Sequence, residues 1–218
     1  MRVRGEMRMK RFAIVLGIVA VAGCKAALPP QVLQSYQNRT LYTCCNIHHE
    51  TEDINDANSW VGTMIPLGSP AQVQSAARNT VTLVAGGTTL RLQHRYGAGE
   101  ESFQQYLDKL LVPDDPKLKL ARFPRSVQDA IKDGRVEKGM TREQVVLSLG
   151  YPPTHRTPTL SAPTWTYWYN TWVTYQVVFD DAGVVSNVIG QPAPTRNEPI
   201  KPDAPPPAAA APKKKHHK

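Results

Sequence analysis

The stretch GMTREQVVLSLGYPP, residues 139–153, carries the signals that a short, well-bounded helix needs. Thr141 has the hydroxyl of an N-cap residue, and Gln144 three positions later completes a capping box. Met140 and Val145 occupy the two positions of a hydrophobic staple, which fixes the angle at which the chain enters the helix. Gly150 closes the helix, and Pro152-Pro153 prevent its return. A segment with this many agreeing local signals predicts one helix and little else.

Reading outward, Ser126 caps a second short helix that runs through Lys132 and stops at Gly134. Downstream come three runs rich in aromatic and β-branched residues: WTYWY (165–169), WVTYQVVF (172–179) and VVSNVI (184–189). Asn170-Thr171 and Asp180-Asp181-Ala182-Gly183 are the turns between them. Trp165, Tyr167 and Tyr169 alternate onto one face, as do Val173, Tyr175, Val177 and Phe179. Residues 126–190 are therefore expected to form an α+β unit, two helices covering one face of a three-stranded antiparallel meander. Trp168 and Trp172 fall out of phase with their neighbours, which makes them the candidate partner contacts.

In order, Gly139-Met140-Thr141, Gln144-Val145, Leu149-Gly150, Pro152, a Trp-x-Tyr strand and Val178-Phe179-Asp180 with Gly183 and Val185 resemble the SmpA/OmlA (BamE) family. The resemblance covers about residues 126–189. It implies a BamE/BLIP-like αα-βββ domain on an outer-membrane lipoprotein. It also implies a non-enzymatic subunit that supports insertion of β-barrel proteins, with barrel-assembly subunits among its partners. The same fold serves inhibitors and other binding proteins, so the partner is not set by the fold.

Toward the amino terminus the period changes. Residues 40–112 hold short strand-like runs broken by Pro66, Gly68 and Pro70, by Arg78-Asn79 and by Gly86-Gly87. Leu90, Leu92 and His94 share a face. Such spacing predicts a small β-rich module, SH3-like in size. Its last element is a helix: Phe103, Tyr106, Leu107, Leu110 and Leu111 follow the helical period behind a Ser102/Gln105 capping box. Residues 113–125, bounded by Pro113 and Pro116, read as a linker, and residues 24–39 as a tether.

YTCCNIHHE, residues 42–50, is the one stretch that looks like chemistry. On a strand, Cys44 and Cys45 point to opposite faces, and so do His48 and His49. The spacing lacks the C-x₂₋₄-C of a structural zinc site, which leaves Cys45 with His49 as the residual metal pairing and a Cys-His nucleophile as the residual enzyme reading. The plainer readings are favoured: a small buried apolar residue beside an exposed one, a vicinal disulfide, or a bond to another chain.

The two ends supply the address. Five basic residues against one Glu precede an apolar run at 12–22 that is too short to span a bilayer and fits a secretory signal. Val21-Ala22-Gly23-Cys24 resembles the bacterial lipobox, which implies residues 1–23 are a signal peptide and Cys24 carries diacylglycerol and an N-acyl chain such as palmitate. Several acyl chains anchor stably where one does not. By resemblance to the bacterial lipoprotein sorting rule, Lys25 in place of Asp implies the outer membrane, with the chain facing an oxidising periplasm. At the other end, residues 191–218 are rich in Pro and Ala, end in KKKHHK and read as a disordered tail. The formal net charge of +8 resides in these two ends. The body between them sums to zero, so composition does not support the basic face of a nucleic-acid binder. The reading that results is an acylated, non-catalytic scaffold for envelope proteins, with no cofactor beyond its acyl chains. The alternative is a peptidoglycan-binding lipoprotein that uses the β module and the basic tail.

Overall fold

A computed structural model describes residues 30–190. Cys24, the signal sequence and the tail lie outside these residues. The first element, α1 (Pro30–Gln37), is followed by seven strands: β1 (Leu41–Thr43), β2 (Ile47–His49), β3 (Asp53–Asn55), β4 (Thr63–Ile65), β5 (Pro70–Ala77), β6 (Thr80–Ala85) and β7 (Thr88–Gln93). Then come α2 (Phe103–Leu110), β8 (Leu111–Val112), α3 (Lys117–Leu120), α4 (Arg125–Lys132) and α5 (Arg142–Leu149). β9 (Thr164–Trp168), β10 (Thr174–Phe179) and β11 (Val185–Ile189) complete the chain.

The C-terminal unit is the αα-βββ arrangement the sequence predicts. The meander has the order β11-β10-β9 and is antiparallel throughout. Its inner face carries Trp165, Tyr167, Tyr175, Val177 and Phe179, all buried against α4 and α5. Trp165 and Phe179 meet edge to face at 4.7 Å, and the Tyr167 hydroxyl donates to the Gly150 carbonyl at 3.0 Å. The Thr141/Gln144 capping box forms, and Met140 and Val145 are both buried. The entry to α5 is stitched to β11: Gly139 N donates to Val185 O at 2.9 Å, and Val185 N to Met140 O at 2.8 Å.

Two details differ from expectation. α4 begins at Arg125 behind Pro124, which makes no side-chain cap bond, so Ser126 is not its cap. Proline at this position sets a helical φ and has no N–H to orphan. Gly134 does close the helix, with φ +66 and the two bonds of a Schellman motif, Gly134 N to Ile131 O and Arg135 N to Ala130 O. Val173 is 39 % exposed and falls outside β10, because the Asn170 side chain holds residues 170–173 as a turn.

The N-terminal unit is a six-stranded sheet of order β3-β7-β6-β5-β1-β8 in place of an SH3-like barrel. β5, β6 and β7 form a meander whose second turn, Gly86-Gly87, has both φ positive, as a type I′ hairpin requires. Its inner face (Val73, Val81, Leu83, Leu90, Leu92) is covered by Tyr36 of α1 and Phe103, Leu107 and Leu110 of α2. Helices cover this face, so the sheet has no need to close on itself. The stretch read as a tether is thus ordered from Pro30: Tyr36 is 1 % exposed and its hydroxyl donates to Asp108 at 2.5 Å. The stretch read as a linker includes α3, whose Leu120 enters the C-terminal core.

The units are joined at the segment after β1. Asn46 is fully buried; its amide donates to Ile131 O at 2.7 Å and Ser148 O at 3.0 Å, and its carbonyl oxygen accepts from Leu67 N at 2.9 Å. Asn58 donates to Leu149 O at 2.8 Å, and the Trp60 indole to Gly134 O at 2.7 Å. Leu67 is counted in the C-terminal core although it precedes β5. Backbone carbonyls at helix ends need partners, and here the other unit supplies them.

Candidate binding surface on the C-terminal hairpin

The β9–β10 hairpin presents the aromatic residues that the sequence singles out. Asn170 Oδ1 accepts from the backbone of Trp172 and of Val173, both at 2.9 Å, and Tyr169 N donates to Val173 O at 2.8 Å. This Asx-type turn holds Trp172 at the tip with 87 % of its surface exposed. Trp168 is half-buried on the outer face of the meander. The Arg156 guanidinium lies 5.4 Å over its ring, and its carbonyl accepts from Trp60 N at 3.2 Å. The same outer face carries the exposed Thr174, Gln176 and Asn187 and Ile189, which is 50 % exposed. An exposed Trp beside a semi-rigid aromatic ledge, with mixed polar neighbours, is the composition of a protein contact surface.

The paired thiols and imidazoles do not assemble into a reactive centre. Cys44 and Cys45 lie in the bend between β1 and β2, off any strand, and are bonded to each other, both buried. Off a strand, their side chains are not sent to opposite faces, and the two sulfurs meet. Cys45 packs against Gly150, and its sulfur is spent in the disulfide. His49 is half-buried in β2 opposite Thr63. No group of three His, Cys, Asp or Glu side chains able to hold a metal occurs among the described residues. His48 is buried beside Trp60 and Met64, and neither ring nitrogen has a partner among the described residues. Burial, aided by the neighbouring His49, depresses its pKa to about 4, so it is neutral at ordinary pH.

A buried pair that local pattern reading misses is Asp56 with His94. His94 Nδ1 meets Asp56 Oδ2 at 2.8 Å, and Nε2 meets the Glu101 carbonyl at 3.0 Å. Both partners are pure acceptors, so both ring nitrogens carry protons and the imidazole is cationic. Burial alone pulls the His94 pKa down, but the carboxylate and carbonyl raise it above the ordinary value. Asp56 is likewise penalised by burial and held below the ordinary carboxyl value by His94 and the N–H groups of Tyr96, Gly97 and Arg95. His94 is 2 % exposed and stacks with both Phe103 and Tyr106. The pair has the look of an acid–base dyad, but both imidazole nitrogens are engaged and the ring is covered, so its role is to brace the β7–α2 connection. The inward phase of His94 is visible in the sequence; Asp56, 38 positions earlier, gives no local signal.

Residues 130–189 match the family model described as the outer membrane protein assembly factor BamE domain. The match starts within α4 and ends at the last residue of β11, so it takes in the capped helix α5 and the whole meander. No curated protein and no solved structure matches the chain. No helix among the described residues is long and apolar enough to cross a membrane.

Proposed function

We propose, with the BamE-type domain at residues 130–189 as premise, that this chain is a non-catalytic scaffold of the outer membrane that holds envelope proteins, barrel-assembly subunits among them. The observation that carries the reading is Trp172, 87 % exposed on a hairpin whose turn is fixed by Asn170. A large aromatic side chain left in water on a held turn gains most by entering a partner's pocket. Acylation at Cys24 tethers the chain to the membrane, facing the periplasm. A disulfide between Cys44 and Cys45 suits that oxidising compartment.

The test uses intact cells. A photo-crosslinking residue at position 172 is expected to capture a barrel-assembly subunit, identified by mass spectrometry, and the same residue at Gln128 is not. Trp172→Ala is expected to weaken that contact by about tenfold or more while leaving the thermal midpoint unchanged. Equal capture from both positions, or an unchanged affinity in the variant, overturns the assignment of the hairpin. Loss of labelled palmitate incorporation in Cys24→Ser checks the anchor.

A further inference from the structure

At the other end of β9 from Trp172, a cavity of about 520 Å³ opens between α5, the chain after β8 and Trp165. Packed interiors hold few voids larger than a water, whereas ligand clefts run from about 300 to 1,000 Å³. Its floor is apolar and buried: Cys44, Leu147 and Trp165. Val146, one turn along α5 from Arg142, forms a wall, and Leu118 and Leu160 stand at the mouth with 67 % and 42 % of their surface exposed. Local sequence explains the opening. Pro113 and Pro116 stop β8 from extending across it, and α3, only four residues long, turns Leu120 inward and Leu118 out.

The chemistry of the lining narrows the occupant. Three carboxylates (Asp114, Asp115, Glu143) line the cavity against two cations (Lys119, Arg142), and Lys119 is already paired with Glu143 at 2.9 Å. An anionic headgroup would meet net repulsion there, while a neutral or basic ligand would not. An apolar peptide segment with neutral or basic flanks meets both conditions, its side chain matching the floor and its flanks the carboxylates.

We propose that this groove binds an extended, neutral or basic segment of a partner protein. An aliphatic or aromatic side chain seats over Cys44 and Leu147, and the flanks of the segment lie toward Asp114, Asp115 and Glu143. The site shares no residue with the Trp172 tip, so either can fail without the other.

The experiment is fluorescence polarisation on the full chain with dye-labelled heptapeptides of alternating apolar and Thr residues, flanked by Lys or by Glu. The Lys-flanked probe is expected to bind saturably, and its Glu-flanked counterpart to bind about tenfold more weakly. Leu118→Asp and Leu160→Asp, both at exposed positions, are expected to weaken the Lys-flanked probe by about tenfold or more, and Trp172→Ala to leave it unchanged. In ¹⁵N spectra the Trp165 indole resonance, identified by its loss in Trp165→Phe, is expected to shift when the probe binds, because Trp165 lines the floor. No saturable binding by the Lys-flanked probe, equal affinity in the Asp variants, a stationary Trp165 resonance, or displacement of the probe by phosphatidylethanolamine–phosphatidylglycerol vesicles in place of peptide would each overturn the proposal, the last in favour of a lipid.

Discussion

The two halves of this molecule are built by different rules. In the C-terminal domain each element is bounded by its own neighbours: Thr141 with Gln144, Met140 with Val145, Gly134 after α4, Asn170 and Asp180 in the hairpin turns. In the N-terminal sheet the decisive pairings are distant. β1 lies between β5 and β8, and β3 runs parallel to β7, about forty residues away. Local rules make the first half legible and replaceable piece by piece. Long-range closure makes the second half depend on a few buried polar anchors.

The largest disturbance should come from the anchor that joins the halves. Asn46→Ala strands Ile131 O, Ser148 O and Leu67 N in a dry junction, at about 1–3 kcal/mol for each unsatisfied group. A loss of roughly 4 kcal/mol in urea unfolding is expected, with separate transitions reported by fluorescence and by circular dichroism. A single transition with a loss below about 1 kcal/mol would show that the halves are held by packing instead.

Next in size is the buried pair of the sheet. Asp56→Asn leaves the His94 cation unpaired and should cost about 3 kcal/mol near neutral pH. The pH dependence separates the two buried histidines. His94 has a raised folded pKa, so its contribution is full below the unfolded value of about 6.5 and is lost as pH rises through the folded value. Asp56 has a lowered one, so its contribution is present above about pH 4 and is lost as pH falls through the folded value. Glu101, whose carbonyl receives His94 and whose carboxylate is paired with Lys109, Tyr106, stacked on the ring, and Arg95 and Tyr96, whose N–H groups reach Asp56, are further ionisable residues at this site. His48, depressed to about 4, works the other way: stability falls as pH drops from about 6.5 toward 4. Thermal midpoints across pH should therefore lose their alkaline decline in Asp56→Asn and part of their acid decline in His48→Phe.

Smaller effects test the local rules. Thr141→Ala removes a cap whose loss costs about 1 kcal/mol and should lower the stability of the C-terminal half alone. Smallest of all is reduction of the Cys44–Cys45 bond. It closes the shortest loop two cysteines can form, so the unfolded chain loses little entropy to it, and a change under about 1 kcal/mol is expected from melting with and without reductant. A larger shift would mean that the disulfide, beside Asn46, helps to hold the junction.

Legibility followed the same division. Helix α5, its caps and staple and the inward set Trp165, Tyr167, Tyr175 and Val177 can be read directly, because each rests on contacts within a few residues or on a simple alternation. The start of α4 at Arg125 behind Pro124 misleads toward Ser126, since a hydroxyl just inside the helix resembles a cap. Residues 30–37 look like a tether because α1 has little reason to form until Tyr36 reaches Asp108. Trp172 stands out in sequence by its phase, and the turn made by Asn170 is what leaves it exposed.

What the amino-acid sequence determined alone was the capped helices α2 and α5, the three strands of the meander and its inner face, because capping, turn chemistry and alternation act over a few residues. What only tertiary structure decided was the order of the six strands, the partnership of Asp56 with His94, the role of Asn46 and the groove behind Leu118 and Leu160. These depend on groups far apart in the chain meeting in a dry interior, where an unpaired charge or carbonyl is too costly to leave, and no local pattern encodes which distant partner will satisfy it.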